Sequence, residues 1–239
     1  MKNKSVSYFL FFIILTFAQS PLTANSKNHT CIITIEQLIQ GQIPDTQNEE
    51  QRKFILTGGP GVGKTSIIRC FQELGYLTVN EAAMDVIQES LANGIADPWN
   101  KSDFEDKIIN LQAQNYLSAV SSKASCIFFD RGPIDPITYA LLLQKEPSKK
   151  LISFVQESID HHLYDKTVFL IENLGFCKQE LHRVETNDES LEIERALETN
   201  YHALGFKVVK IPSFPHLNEK EAILERTKLI LNYCNVCQH

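Results

Sequence analysis

Residues 53–66 read KFILTGGPGVGKTS, and they give the clearest indication of the fold in this chain. Gly58, four free positions and the triplet Gly63-Lys64-Thr65 form the phosphate-binding loop pattern G-x-x-x-x-G-K-[ST]. An apolar run precedes the loop, and a segment with helical spacing follows it from Ser66 to Phe71. The stretch therefore predicts a strand, a phosphate-binding loop and a helix, in the order that such a site requires.

The residue types of this loop suit a bound triphosphate. Several backbone N–H groups must surround the phosphates, and glycines allow the chain to curl tightly enough for this. A helix that begins near Gly63 directs its free N–H groups and positive dipole end at the same anion. We expect Lys64 to contact the β- and γ-phosphates of ATP or GTP and the Thr65 hydroxyl to bind Mg²⁺. The residues predicted to contact the nucleotide are Gly58, Gly59, Pro60, Gly61, Val62, Gly63, Lys64, Thr65 and Ser66.

The first 24 residues have the pattern of a secretory signal. Lys2 and Lys4 precede an apolar run from Tyr8 to Ala18, which is short for a membrane span. This interpretation predicts export or membrane association. The alternatives are an uncleaved anchor or a buried helix, and without a signal the chain would be cytoplasmic. Residues 25–50 are predicted to be a polar connector, 51–233 a nucleotide-binding domain and 234–239 a short tail.

Charge and cysteine content limit the classes of function. The formal net charge of −6 argues against a nucleic-acid-binding surface. Cys70 and Cys126 are predicted to be buried thiols, because they lie in apolar segments. Cys234 and Cys237 form a C-x-x-C pair without a second pair, so we assign them to the tail rather than to a metal site.

Apolar runs and amphipathic segments alternate along the chain and predict five strands with helices between them. The first four predicted strands are residues 53–57, 76–80, 126–130 and 167–171, and residues 205–211 are predicted to form a turn and the fifth strand. Such a chain forms a parallel sheet covered by helices on both faces, and ligands bind at the carboxyl ends of its strands. This rule brings the loop, Glu81 and Asp130 to one crevice. Ser102 and Glu105 are expected to form a capping box at the start of a long helix.

Asp130 ends a buried apolar strand, as the acidic residue of a Walker B element does. Asp130 and the phosphate-binding loop belong to a larger set of segments that resemble a known family. The chain resembles the AAA-type P-loop domain shared by the ribosylnicotinamide kinase part of NadR and an animal trafficking protein that binds GTP and phospholipid. The resemblance covers roughly residues 52–232. The matching segments are Phe54–Thr65, Gly75-Tyr76, Glu81–Ala83, Pro98-Trp99 with Phe104, Phe129–Pro133 with Asp135 and Tyr139, Arg183–Glu185, Tyr201–Val209 with Pro212, and Glu225-Arg226.

The resemblance implies an α/β fold of the P-loop NTPase class. Its three α/β/α layers would contain a five-stranded parallel sheet in the kinase-like order 2-3-1-4-5. It also implies catalytic roles for four residues. Glu81 would orient the acceptor hydroxyl and accept its proton, Asp130 would hold Mg²⁺, and Arg131 would face the acceptor or the phosphates. Arg183, in a lid, would neutralise charge on the transferring group, although this lid has only one well-aligned arginine.

Structural alternatives exist for three of these residues. Glu81 is also the type of residue found in the first turn of a helix, and Arg131 is also suited to an ion pair with a neighbouring helix. Arg183 is equally compatible with a solvated loop charge.

Together these observations predict an Mg²⁺-dependent kinase that transfers the γ-phosphoryl group to a small, nucleoside-like hydroxyl acceptor. The alternative is a binding module switched by GTP or ATP, with a lipid or protein partner and no turnover.

Overall fold

The structure, a computed structural model, describes residues 51–174 and 186–234. The predicted signal and connector lie outside these ranges, and so do Arg183 and residues 235–239. Within the described ranges, no helix is both long enough and apolar enough to cross a membrane.

Five parallel strands form one sheet. They are β1 (Arg52–Thr57), β2 (Leu77–Val79), β3 (Cys126–Asp130), β4 (Thr167–Ile171) and β5 (Lys207–Ile211). Their order is β2-β3-β1-β4-β5, which confirms the predicted kinase-like topology. In the register of the two central strands, Leu56 lies beside Asp130. The last residues of β1 and β3 therefore reach the same edge of the sheet.

Helices cover both faces of this sheet. They are α1 (Lys64–Glu73), α2 (Ala82–Ala92), α3 (Phe104–Val120), α4 (Ile134–Leu142), α5 (Lys149–Asp160), α6 (Asn187–Ala203) and α7 (Glu219–Cys234), with a 3₁₀ turn at Pro98–Asn100. Helices α1 and α7 pack on one face, and α3 to α6 pack on the other. Side chains alternate along a strand, so Ile55 faces one layer while Phe54 and Leu56 face the other. The predicted three-layer architecture is confirmed.

The helix after the loop is held against the sheet by aromatic packing. The Phe71 ring on α1 stacks on the Phe128 ring of β3, with 3.9 Å between centroids and 5° between planes. Phe54, a residue of β1, also packs against Phe128. Both ends of the phosphate-binding loop therefore belong to elements anchored in the same core.

The structure tests the predicted capping box and the predicted positions of three cysteines. The capping box is wrong: α3 begins at Phe104 without a side-chain cap. Glu105 instead accepts a hydrogen bond from the Ser148 backbone N–H at 3.1 Å, because the start of α5 packs beside it. Cys70 and Cys126 are buried thiols, as predicted. Cys234 is the last residue of α7 and is buried in the core, one residue beyond the predicted end of the domain.

Candidate functional site

The phosphate-binding loop joins β1 to α1 in a conformation that its glycines allow. Gly61 and Gly63 have φ angles of 74° and 90°, in the left-handed region. A β-carbon at Gly58 would lie 2.6 Å from the Ile171 carbonyl oxygen of β4. The loop therefore requires glycine at these positions for two reasons, backbone conformation and close contact with the neighbouring strand.

The carbonyl groups of the loop are hydrogen-bonded by side chains around it. Lys64 Nζ donates to the carbonyl oxygens of Gly58 and Gly59, at 3.0 and 2.8 Å. Ser190 of α6, which is fully buried, donates to Pro60 at 2.9 Å. The donors hold the carbonyls in place, and in a planar trans peptide the following N–H points the opposite way. This arrangement orients the loop for binding an anion.

A buried arginine on α7 provides another contact to the loop. Arg226 is 2% exposed and donates to the Val62 carbonyl at 2.7 Å. Its remaining nitrogens donate to the carbonyls of Pro212 and Glu172, at 2.8 and 3.0 Å. Burial lowers the pKa of Arg226 to about 10, so the guanidinium stays charged at neutral pH. One side chain thus ties the loop to the ends of β4 and β5.

The sequence alone assigned no role to Arg226, although its position on the helix indicates one. Ala222, Arg226 and Ile230 follow one another at four-residue spacing, and all three are buried. A cation on the apolar stripe of a helix indicates a buried hydrogen-bonding partner.

Thr65 and Asp130 lie together where Mg²⁺ was predicted. The Thr65 hydroxyl is 3.4 Å from Asp130 Oδ2. Asp130 Oδ1 is buried and has no hydrogen-bonding partner among residues 51–174 and 186–234. Burial and, next, the Glu81 carboxylate raise the pKa of Asp130 to about 6, against the lowering effects of Lys64 and Arg131.

These two residues fit a magnesium ion. A buried carboxylate oxygen without a donor and an adjacent hydroxyl are the oxygen ligands that Mg²⁺ prefers. In the described part of the chain, no group of three or more His, Cys, Asp and Glu residues is placed to hold a metal. The remaining ligands would come from phosphate oxygens and water, as is usual for Mg²⁺.

Glu81, Arg131 and Asp135 form a buried group of charges beside Asp130. Arg131 Nε is 2.8 Å from Glu81 Oε1, and its NH1 is 3.0 Å from Asp135 Oδ1. Glu81 precedes α2 without capping it, so its carboxylate serves Arg131 rather than the helix. Arg131 has a φ of 73°, a left-handed conformation that costs free energy in a non-glycine residue. Arg131 thus forms an ion pair, as its structural alternative predicted. It also lines the crevice at the carboxyl ends of the strands.

Asp135 holds this group in place, although the sequence placed it only in a matching segment of the family resemblance and gave it no role. It is 1% exposed and accepts hydrogen bonds from Thr57 Oγ1 at 2.7 Å and from the Tyr201 hydroxyl at 2.6 Å. The backbone N–H of Gly132 donates to it at 3.1 Å. Asp135 therefore connects β1, the β3–α4 turn and α6 beneath the arginine.

Two cavities meet at the loop. The larger, about 870 Å³, has Pro60, Glu81, Asp130 and Arg131 in its wall and is mainly apolar elsewhere. The smaller, about 270 Å³, is lined by residues 61–66 of the loop together with side chains of α7 and the segment after β5. Residues 61–66 of the loop thus line the smaller cavity, and Pro60 lies in the wall of the larger one.

Of the four predicted catalytic residues, Glu81, Asp130 and Arg131 lie together beside the loop. Arg183 lies outside the described residues. Ser190, Arg226 and Asp135 are contacts that sequence analysis missed, because they pack around the loop from elements distant in sequence.

Known proteins share this fold. A family model described as an AAA domain matches residues 53–220. No curated protein matches the chain.

Among solved structures, the NadR protein in complex with NAD and AMP-PNP is 15% identical with a TM-score of 0.57. The match covers 89% of this chain and 60% of the NadR chain. Deoxyadenosine kinase from M. mycoides with bound dATP is 14% identical with a TM-score of 0.42, covering 77% of this chain and 100% of its own. Shikimate kinase from Bacteroides thetaiotaomicron is 13% identical with a TM-score of 0.45, and the match covers 77% of this chain and 99% of the shikimate kinase chain. The family match covers more than half of the chain and shows, in agreement with the phosphate-binding loop and the strand order, that the chain belongs to the AAA domain family.

Proposed function

We propose that this protein is an Mg²⁺-dependent phosphotransferase that moves the γ-phosphoryl group of ATP or GTP to the hydroxyl of a small, nucleoside-like acceptor. One observation carries the proposal. The phosphate-binding loop separates two cavities, and Glu81, Asp130 and Arg131 line the larger one next to the loop. Charged groups lie where two substrates would meet, in surroundings otherwise mainly apolar.

On the nucleotide side, the loop N–H groups and Lys64 would bind the phosphates. Asp130 and Thr65 would hold Mg²⁺, which neutralises phosphate charge when bound. Positioning and charge neutralisation supply most of the catalysis in phosphoryl transfer. The contacts from Ser190 and Arg226 to the loop support this role, because they keep the loop in one conformation.

On the acceptor side, Glu81 would orient the hydroxyl and accept its proton. Its ion pair with Arg131 holds the carboxylate against the wall of the larger cavity. Asp135 fixes Arg131 in turn. Arg131 would then lie close to the charge that develops during transfer, where a fixed cation stabilises the transition state.

A second candidate is the nucleotide-switched binding module with a lipid or protein partner. The observation that favours it is the same ion pair. Glu81 and Arg131 already form an ion pair, within a network that includes Asp135. A module that only changes conformation with its nucleotide needs this network for structure and needs no general base.

The nucleotide site is tested by the melting temperature of the purified protein with Mg²⁺ and ATP or GTP. A nucleotide that binds only the folded state raises this temperature, and Lys64→Ala should remove most of the rise. Equal rises in the wild type and the variant would contradict binding at the loop.

Phosphotransfer is tested by nucleotide consumption with nucleosides, sugars and phosphoinositides as acceptors. Glu81→Gln should leave nucleotide affinity nearly intact and lower turnover by roughly 10²–10⁴-fold, the range for a positioned general base. The binding module predicts negligible turnover with every acceptor, and Glu81→Gln would then change only the affinity for the partner.

A further inference from the structure

We propose that Gln112 is the specificity-determining residue of the larger cavity and that it reads the hydrogen-bonding edge of a nucleobase. The acceptor would then be a nucleoside held by its base as well as by its hydroxyl. This inference rests on the proposed function, and it names the chemistry of the acceptor.

Gln112 lies on a face of α3 that forms part of the cavity wall. Phe104, Ile108, Gln112 and Asn115 follow at helical spacing, and all four line the cavity. Phe104 and Ile108 are apolar and pack with side chains of α2. This row of cavity-lining residues is therefore apolar at Phe104 and Ile108 and becomes polar at Gln112, near the middle of α3.

The carboxamide of Gln112 is buried without a partner for its oxygen. The residue is 9% exposed, and Oε1 has no hydrogen-bonding partner within residues 51–174 and 186–234. Buried polar atoms are almost always hydrogen-bonded in folded proteins, so an unsatisfied one in a cavity wall indicates a ligand. Glu105, the acidic group on the same face, is already bound to the Ser148 backbone.

A carboxamide presents an acceptor and a donor side by side. Its complement is a group with a donor next to an acceptor in one plane, which the pairing edges of uracil, cytosine and adenine all offer. The surrounding wall is mainly apolar and includes aromatic side chains such as Phe129 and Tyr139. A flat ring would fill such a space, and only its edge would need polar contacts.

A sugar or a small cyclic alcohol fits these features less well. It has no flat apolar body to cover the wall, and it presents hydroxyl groups rather than an amide-like edge. An acyl chain would cover the wall and leave Gln112 Oε1 unsatisfied, which is costly. The nucleobase is the ligand class that answers both features.

The test measures nucleoside binding to the full-length protein by titration calorimetry, with Mg²⁺ and AMP-PNP present. Two ligand pairs share the same sugar and differ only at the edge: uridine with 3-methyluridine, and adenosine with N6,N6-dimethyladenosine. We expect the wild type to bind at least one unmethylated nucleoside about tenfold or more tightly than its methylated partner.

Gln112→Leu should weaken binding of that nucleoside about tenfold or more and abolish the difference within the pair. Gln114→Leu is the matched control, because Gln114 is exposed on the same helix. The melting temperature of Gln112→Leu without ligand should equal or exceed that of the wild type, because the change removes an unsatisfied buried oxygen. A purely structural glutamine would give a lower melting temperature instead.

The inference is overturned if neither pair shows a difference in the wild type, or if Gln112→Leu binds the nucleosides as the wild type does. Its failure differs from failure of the proposed function. Equal consumption of nucleotide by wild type and Gln112→Leu with a sugar acceptor would keep the phosphotransferase and remove the role of Gln112. Gln112-dependent nucleoside binding without turnover for any acceptor would keep that role and remove the transfer.

Discussion

At the scale of single residues, the buried carboxylate of Asp130 costs stability at neutral pH, and we propose that it binds Mg²⁺. Its carboxylate is 5% exposed, lies near Glu81 and Asp135, and has one oxygen without a partner in the described residues. Burial and these like charges raise its pKa to about 6. A bound cation would offset the repulsion between these carboxylates and would also supply a partner for the Asp130 oxygen. Residues whose pKa is shifted by burial and by specific charges are frequent at functional sites.

Asp130→Asn should therefore stabilise the metal-free protein at neutral pH. Between pH about 4 and about 6 the folded protein holds a proton that the unfolded chain has lost, so the wild-type free energy of unfolding falls as pH rises through this range. The variant lacks this slope. In EDTA we expect it to be more stable than the wild type by about 1–3 kcal/mol at pH 7.5, and by about half as much at pH 5.

Denaturant unfolding at the two pH values measures this difference, and Mg²⁺ with ATP provides the functional comparison. The ligand should raise the melting temperature of the wild type far more than that of the variant. A variant less stable than the wild type at pH 7.5 in EDTA would show that the Asp130 carboxylate has a stabilising partner.

At the scale of elements, the phosphate-binding loop is held by helices that do not adjoin it in sequence. Ser190 of α6 contacts Pro60, and Arg226 of α7 contacts Val62. Packing is tight on the α6 side, since a β-carbon at Gly59 would lie 2.6 Å from the Ser190 carbonyl oxygen. The loop thus receives its conformation from α6 and α7 as well as from its own glycines.

Arg226→Met should weaken both stability and nucleotide binding. It leaves the carbonyls of Val62, Pro212 and Glu172 without their donor, which should cost about 2–4 kcal/mol of unfolding free energy. Nucleotide affinity should fall about tenfold or more at temperatures where the variant is folded, because the loop is no longer fixed.

Arg69→Met is the control for this change, because Arg69 is exposed on α1. It should leave both quantities near the wild-type values. Loss of stability with unchanged nucleotide affinity in Arg226→Met would mean that Arg226 supports the fold alone and not the binding geometry of the loop.

At the scale of the whole molecule, sheet order determines which residues meet. The central position of β1 places its loop between β3, which ends in Asp130, and β4. The smaller and the larger cavity both border this loop. Ahead of this domain the chain begins with the signal-like segment, and we propose that this segment directs export.

Residues 1–30 fused to a reporter should therefore be exported, and the processed protein should begin near Gln19 or Asn25. A positive n-region followed by a short apolar run is the pattern that export machinery recognises. Ile13→Arg interrupts the run and should block export of the same fusion. Mass spectrometry that finds intact Met1 on cytosolic protein would contradict the proposal.

Local sequence patterns were sufficient to predict the fold class, the phosphate-binding loop and the end of β3 at Asp130. These features depend on local patterns: glycines at fixed spacing, apolar runs of strand length and amphipathic helices. The strand order followed from the family resemblance. Glu81 and Asp130 could be placed in one crevice because the carboxyl ends of parallel strands share an edge.

The contacts around those residues, in contrast, depend on how distant segments of the chain pack together. Arg226 and Val62 are 164 positions apart, and Ser190 and Pro60 are 130 apart. No local pattern specifies such pairs, because a hydrogen bond between distant residues depends on how whole helices pack. The same reason applies to Gln112, which sequence alone shows as one more polar residue of a helix. Its meaning comes from the apolar cavity that the helices and the sheet enclose together.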